Sequence, residues 1–283
     1  MYLLNKNKLN NIDLLNVTLG SDPEFFIFDS NKNEFIASCG WIGGTKQKPV
    51  YLEDKLGYQE DNVALEFNVP PTRSSINLLD NVNKLIGYIE TKYSFKEKGY
   101  QILPVASAYF SSEQLNSDQA RTFGCDPDYN AWTNKTNEIA TVDTTLRSCG
   151  GHVHVGYPNP NVDSNLQIIR LLDLYLGVPS VLLDLDTDRK LLYGKAGAFR
   201  HQPYGVEFRT LSNFWLASQE LADWVFNNVF IALTKFNEGF EFDENTANLI
   251  QNCINQNDDV RAKYIIENFN IPMPKYKEEK VTI

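Results

Sequence analysis

Apolar and polar positions alternate in short runs along the chain, and each run reads as a strand. Residues 17–29 (VTLGSDPEFFIFD) form the first, with 34–38 as a hairpin partner across a turn-forming stretch at 29–33. Residues 63–69 (VALEFNV) form a second, stopped by Pro70-Pro71. Strands are also predicted at 101–109, at 146–157 behind a pair of glycines, and at 205–211. The period changes to that of a helix over about 74–93. There Ile76, Leu79, Val82, Leu85, Ile86 and Ile89 make an apolar stripe behind a cap at Ser74 or Ser75. Further helices are predicted at about 162–177, 217–236 and 244–267. The polar stretches 110–144 and 186–204 read as loops, and the first is long enough to suggest function. The result is an α+β chain with a mainly antiparallel sheet. It is read as a single domain over 1–283, with a helical C-terminal part at about 217–283.

Four of the strands share one pattern. Residues i and i+2 of a strand point to the same face. Asp22 and Glu24, Glu66 and Asn68, His152 and His154, and Glu207 and Arg209 are such pairs, separated by apolar or small residues. A water-facing sheet surface explains any single pair. Four together differ from an ordinary solvated face, which mixes in Lys, Thr, Ser and Gln. Carboxylates and imidazoles are the ligands that hard or borderline metal ions prefer. Clustered carboxylates also repel one another unless a cation lies among them. The simplest arrangement is two or more Mg2+ or Mn2+ ions over one sheet face. Arg209 and Arg200 then supply planar forks for phosphate or carboxylate. Lys195, in the sequence Gly194-Lys195-Ala196-Gly197, adds a point charge suited to a polyphosphate.

Composition narrows the partners. Hydrophobic residues make up 42% of the 283 and charged residues 22%, the balance of an ordinary globular protein. A net charge of −10 argues against a protein that holds nucleic acid by neutralising phosphates. No run of 18 apolar residues is present, and the first residues lack the apolar stretch of a secretory signal. No membrane association and a cytoplasmic location are therefore expected. The 4 cysteines show no C-x-x-C spacing and read as free thiols.

Weaker candidates have strong structural alternatives. His201 reads equally as a loop residue or a site residue. Asp126 and Asp128, either side of Pro127, read as turn formers, with binding of an amine as the other possibility. Trp132 either stacks on a ligand or covers the core. Asp184, Asp186 and Asp188 lack the Gly and distal Glu of a calcium loop and read as solvated. Gly43-Gly44-Thr45-Lys46 lacks phosphate-loop spacing and reads as a turn. Gly150-Gly151 reads as a place where a ligand approaches the backbone.

Read in order, the blocks G-S-D-P-E-F-F (20–26), A-L-E-F-N (64–68), G-G-H-V-H-V-G (150–156) and R-x6-E-F-R (200–209) form a series. It resembles the glutamine synthetase/glutamate–cysteine ligase superfamily, and most closely its compact, phage-encoded branch, COOH·NH2 ligase type 2. The resemblance implies a curved antiparallel sheet of the glutamine synthetase-like fold, flanked by helices, holding two or three divalent ions. It implies ATP-dependent joining of a carboxylate to an amine through an acyl phosphate. By the resemblance Asp22, Glu24, Glu66, His152 and Glu207 are metal ligands, although the family often has E-x-E where this chain has D-P-E. His154 faces substrate or phosphate, Arg209 contacts phosphate, and Arg200 steadies the γ-phosphate. Asp126 is the candidate for holding the amine and accepting its proton. The substrates are small-molecule or peptide acids and amines, in the host cytoplasm if the chain is phage-encoded. Two other readings remain: a guanidino kinase-like phosphotransferase on the same sheet, and a non-catalytic metal- or nucleotide-binding module.

Overall fold

The computed structural model describes residues 3, 9–122, 128–137 and 144–275. Its strands are β1 (Thr18–Ser21), β2 (Glu24–Asp29), β3 (Glu34–Ile36), β4 (Val50–Glu53), β5 (Leu56–Asp61), β6 (Ala64–Thr72) and β7 (Tyr100–Leu103). They continue with β8 (Ser107–Tyr109), β9 (Tyr129–Asn130), β10 (Lys135–Thr136), β11 (Leu146–Ser148), β12 (Val153–Gly156), β13 (Ala198–Gln202) and β14 (Gly205–Phe208). The helices are α1 (Ser75–Lys92), α2 (Phe95–Lys98), α3 (Asp118–Arg121), α4 (Val162–Leu172) and α5 (Val178–Leu183). After them come α6 (Arg189–Leu192), α7 (Gln219–Asn237), α8 (Glu244–Gln256) and α9 (Asp259–Phe269).

Among the described residues the main sheet has 12 strands, and its centre runs β13-β14-β12-β1-β6-β2. The pairings are antiparallel, as the α+β reading anticipated. One face carries Leu19, Phe25, Phe67, Val153, Val155, Phe199, Val206 and Phe208 into the principal core. The rings of Phe25 and Phe67 meet there at 5.0 Å. Each such side chain contributes about 1.5–3 kcal/mol by leaving water. Helices α1 and α4 pack on this face, and α7 packs against both. In α1 the Ser74 hydroxyl accepts from the Asn77 amide, while Leu78, Leu79, Val82, Leu85 and Ile89 are buried. Ile76, expected in that stripe, is 56% exposed, and Leu78 takes its place.

The expected strand at 17–29 is interrupted once. Ser21 lies opposite Val69 and Glu24 opposite Glu66, so β1 and β2 run in one register along the same edge of β6. Pro23 has no amide to give the ladder, so pairing lapses at Asp22-Pro23, although the Pro23 carbonyl still accepts from Phe67 at 2.9 Å. In contrast to the expected stop, β6 continues through Pro70-Pro71 to Thr72. The register shifts between Leu19 and Ser21 opposite them, and this irregularity absorbs the missing donors.

Strands also lie in stretches where none was expected. β13 lies within 186–204 and forms a hairpin with β14 through Pro203-Tyr204, Arg200 facing Glu207. A β-carbon on Gly205 would lie 2.1 Å from the Val155 carbonyl, so this turn requires glycine. β4 and β5 form a second hairpin, and β5 lies along β6 with Gln59 opposite Glu66.

The helix expected at 162–177 extends to Leu183. It is long and apolar enough to cross a membrane, with mean hydropathy 1.6, but 89% of its most apolar window is buried inside the protein. It widens to a π turn at Asp173–Gly177. Asp173 there accepts from Trp132 Nε1 and the Gly197 amide, both at 2.6 Å, and from Thr210 Oγ1 at 3.2 Å. Trp132 is thus a core residue. Burial raises the Asp173 carboxyl to about 7, although these bonds pull it down.

Candidate active site

The face of the sheet opposite the helices carries the polar members of all four strand pairs. Asp22 sits at the break before Pro23, and its side chain turns toward β12. His152 Nδ1 lies 3.0 Å from Asp22 Oδ1, and His154 Nε2 lies 3.2 Å from the same oxygen. Glu207 faces His154 across the ladder, and its Oε1 is 3.5 Å from His152 Nδ1. Asp22, His152 and Glu207 each offer a ligand atom within 4.8 Å of the other two.

Arg209 closes this group. Its Nη1 donates to Glu207 Oε1 and lies 3.2 Å from His152 Nδ1. Its Nε is 2.5 Å from Asp128 Oδ1. Asp128 is buried here, so the reading of it as a simple turn former is corrected: it is the counter-ion of Arg209. Arg200, on β13, brings Nη1 to 4.0 Å from Glu207 Oε1.

The Nδ1 atom of His152 cannot satisfy both neighbours. With a proton it opposes the Arg209 N–H, and without one its lone pair opposes the Asp22 carboxylate. Burial, then Arg209, push the His152 imidazole toward its neutral form. Burial alone would raise Asp22, but His154 and His152 outweigh it and hold its carboxyl well below the usual range. A divalent cation would take the lone pairs of Asp22, His152 and Glu207 together. Octahedral coordination at about 2.1 Å places adjacent ligand atoms about 3 Å apart, close to the spacing found here. The donor set therefore fits such an ion.

Glu24 and Glu66 form a second acidic group beside the first. They are directly opposed in the β2–β6 ladder. Glu24 Oε2 accepts from the Gly150 amide at 2.7 Å, and Glu66 Oε2 from Gln59 Nε2 at 2.7 Å. Burial raises both carboxyls, Glu66 to about 8, and Asp61 on β5 raises each further. Asp61 is itself raised, mainly by burial, with Lys46 pulling it back. An open cleft with about 540 Å³ of empty space lies between Glu24, Asp61, His152, Arg209 and Arg147.

Sequence reading missed Asp61, Gln59 and Arg189, and took Lys46 only as part of a turn. The first two belong to the unrecognised β4–β5 hairpin, which the run Y-L-E-D-K-L-G-Y could have signalled. Lys46 follows the Gly43-Gly44 turn, and its charge acts on Asp61 and Glu66. The loop is not a phosphate cradle, because the amides of Gly40, Trp41 and Gly43 donate to the Glu60 carboxylate. Arg189 is buried and donates to the carbonyls of Cys149, Thr210 and Arg209.

Several other expectations change. A β-carbon on Gly150 would lie 2.4 Å from His152 Nε2, and one on Gly151 2.4 Å from the Ser212 carbonyl. The pair makes room for the protein's own atoms, and Gly150 also lines the cleft. Asp184, Asp186 and Asp188 are half-buried, not simply solvated: they accept from Ser212, Ser107 and Tyr109 and fasten their loop to the fold. His201 faces away from the site, with Nδ1 2.9 Å from Asn165 Nδ2 and its ring beside Phe199. Lys195 is half-buried in the loop before β13, where its carbonyl accepts from Thr210 and its charge acts on Lys190. Asp126 lies outside the described residues.

Residues 142–264 match the model of a family described as Phage phiEco32-like COOH.NH2 ligase-type 2. This is the branch that the motif series resembles, and its name is that of a carboxylate–amine ligase. The matched stretch holds His152, His154, Arg200, Glu207 and Arg209, while the D-P-E and A-L-E-F-N blocks precede it. Among curated proteins no match was found.

Proposed function

We propose that this chain is an ATP-dependent carboxylate–amine ligase on a glutamine synthetase-like sheet, acting on small-molecule or peptide substrates in the cytoplasm. The family match supports the ligation chemistry. The observation that carries the metal-dependent part is the meeting of the Asp22, His152 and Glu207 ligand atoms around one point.

A carboxylate is a poor electrophile because its leaving group would be oxide. Transfer of the γ-phosphoryl group of ATP to a carboxylate oxygen gives an acyl phosphate and ADP. The amine then attacks the carbonyl carbon, the C–N bond forms, the C–O bond breaks, phosphate leaves and the nitrogen loses a proton. Asp22, His152 and Glu207 would hold one Mg2+ or Mn2+, and Glu24 and Glu66 a second. When bound, such ions polarise the transferring phosphoryl group and offset its charge. Arg209 and Arg200 flank Glu207 and supply charge to the same oxygens. His154 is poised to face phosphate: burial opposes its charge, but Asp22 outweighs that and raises the imidazole. Asp126 is assigned as the acceptor of the amine proton.

The test is ADP release from a panel of acids and amines, with mass spectrometry of the product. Glu24→Ala and Glu207→Ala are expected to abolish amine-dependent ADP release in a folded protein. Full activity in both variants removes the metal assignment. ADP release that requires a guanidine and yields no amide selects the phosphotransferase instead.

A further inference from the structure

Beyond the acidic cluster the same sheet face changes character. An apolar groove with about 490 Å³ of empty space runs from His154 along β12 and β1. Its floor is Gly20 and Gly156, where two neighbouring strands lack side chains. Pro71 lines one side with Val69, Pro71 lying over Gly20 at the irregularity where β6 meets β1. The half-exposed ring of Tyr204 forms the other and stacks against His154 at 6.0 Å and 22°. His154 thus belongs to both regions: Nε2 meets Asp22, while Nδ1 lies 2.9 Å from the Tyr204 hydroxyl.

We infer that this groove receives an apolar side chain, of about leucine or phenylalanine size, carried by the carboxylate substrate. The inference rests on the ligase reading for the placement of the carboxylate. Two residues of strand separate His154 from Gly156, about 7 Å. A carboxylate held at the charged end therefore puts its own side chain over the two glycines. The polar groups of the groove favour this occupant over a nucleobase. Tyr204 is engaged with His154, and His154 with Asp22, which leaves the Thr18 hydroxyl to meet the donors and acceptors of a base edge. The strand amides of the floor are taken by the β1–β12 ladder. Apolar walls with few polar groups suit a hydrocarbon side chain.

Gly20 makes the groove testable. A β-carbon there would meet His154 Cβ, Pro71 Cα and Pro71 Cβ, all at 3.7 Å, an ordinary contact distance. Gly20→Ala therefore raises the floor without strain, and Gly20→Val raises it further. The full chain and both variants are assayed for ADP release with glycine, alanine, leucine and phenylalanine as acids and hydroxylamine as the amine. The same acids, N-acetylated, are titrated calorimetrically without nucleotide. In the parent chain leucine and phenylalanine are expected to exceed glycine in kcat/KM by roughly ten-fold or more. That ratio is expected to fall in Gly20→Ala and to collapse in Gly20→Val. An unchanged ratio in both variants overturns the inference. So does a loss of ATP affinity with no change among the acids, which would make the groove a nucleobase site. Should no acid support ADP release, the ligase reading fails. The calorimetric preference for N-acetylleucine over N-acetylglycine, and its loss in Gly20→Val, then decides the groove alone.

Discussion

Glu66 gives the sharpest physical prediction. It is buried beside Glu24 and Asp61, and its carboxyl keeps its proton up to about 8, against 4.5 for an exposed group. The folded protein therefore binds more protons than the unfolded chain between those values. The contribution of Glu66 to metal-free stability thus falls as pH rises through that window and stays low above it. Each pH unit between the two values is worth about 1.4 kcal/mol, so Glu66 alone accounts for at most about 5 kcal/mol. Burial also raises Glu24 and Asp61, so both act in the same direction. Glu66→Gln removes the titration and keeps an oxygen to accept from Gln59 Nε2. Urea unfolding in EDTA at several values between about pH 5 and 8.5 provides the assay. The wild type should lose a few kcal/mol across this range, and Glu66→Gln much less. Parallel curves for the two proteins would refute the reasoning. Saturating Mg2+ should restore the wild type at high pH more than the variant, because only the wild type keeps the carboxylate.

Other perturbations read different parts of the site. Arg189→Met strips donors from three buried carbonyls and should cost about 3–5 kcal/mol by urea midpoint. Gly150→Ala places a methyl group against His152 Nε2. It should weaken Mn2+ binding roughly 10–100-fold in a calorimetric titration, with a cooperative unfolding transition retained. Asp128→Asn removes the charge that holds Arg209 Nε. Its effect should appear in the KM for ATP, and an unchanged KM would show that Glu207 alone orients the guanidinium.

The alternation of the sequence made much of this site legible. D-P-E, A-L-E-F-N, H-V-H and E-F-R each put their polar members on one face, because a strand has a period of two whatever its neighbours do. Their apolar partners, such as Val153 and Phe208, sit in the core for the same reason. Asp61 and Asp128 were harder, since each gains its role from a partner far away in sequence. Asp128 looks like a turn residue until Arg209 is folded against it. The glycine pair was read too narrowly for a related reason: Gly150 lines the cleft, but His152 itself and the backbone at Ser212 also need the space. Asp184, Asp186 and Asp188 seemed free because their acceptors' partners, Ser107, Tyr109 and Ser212, lie on other elements.

The wide turn at Asp173–Gly177 has a mechanical consequence. One carboxylate, on the most deeply buried helix, fastens Trp132 on one side and Gly197 on the other. The chain leading to Asp128 and the chain leading into the Arg200 strand are therefore moored to the same post. Arg200 and the counter-ion of Arg209 cannot drift independently, so the spacing of the two guanidinium groups is fixed from beneath. Segments outside these moorings are free to lengthen or change sequence and so alter what the cleft admits. Change inside them would have to move the post, and with it the interior of the protein.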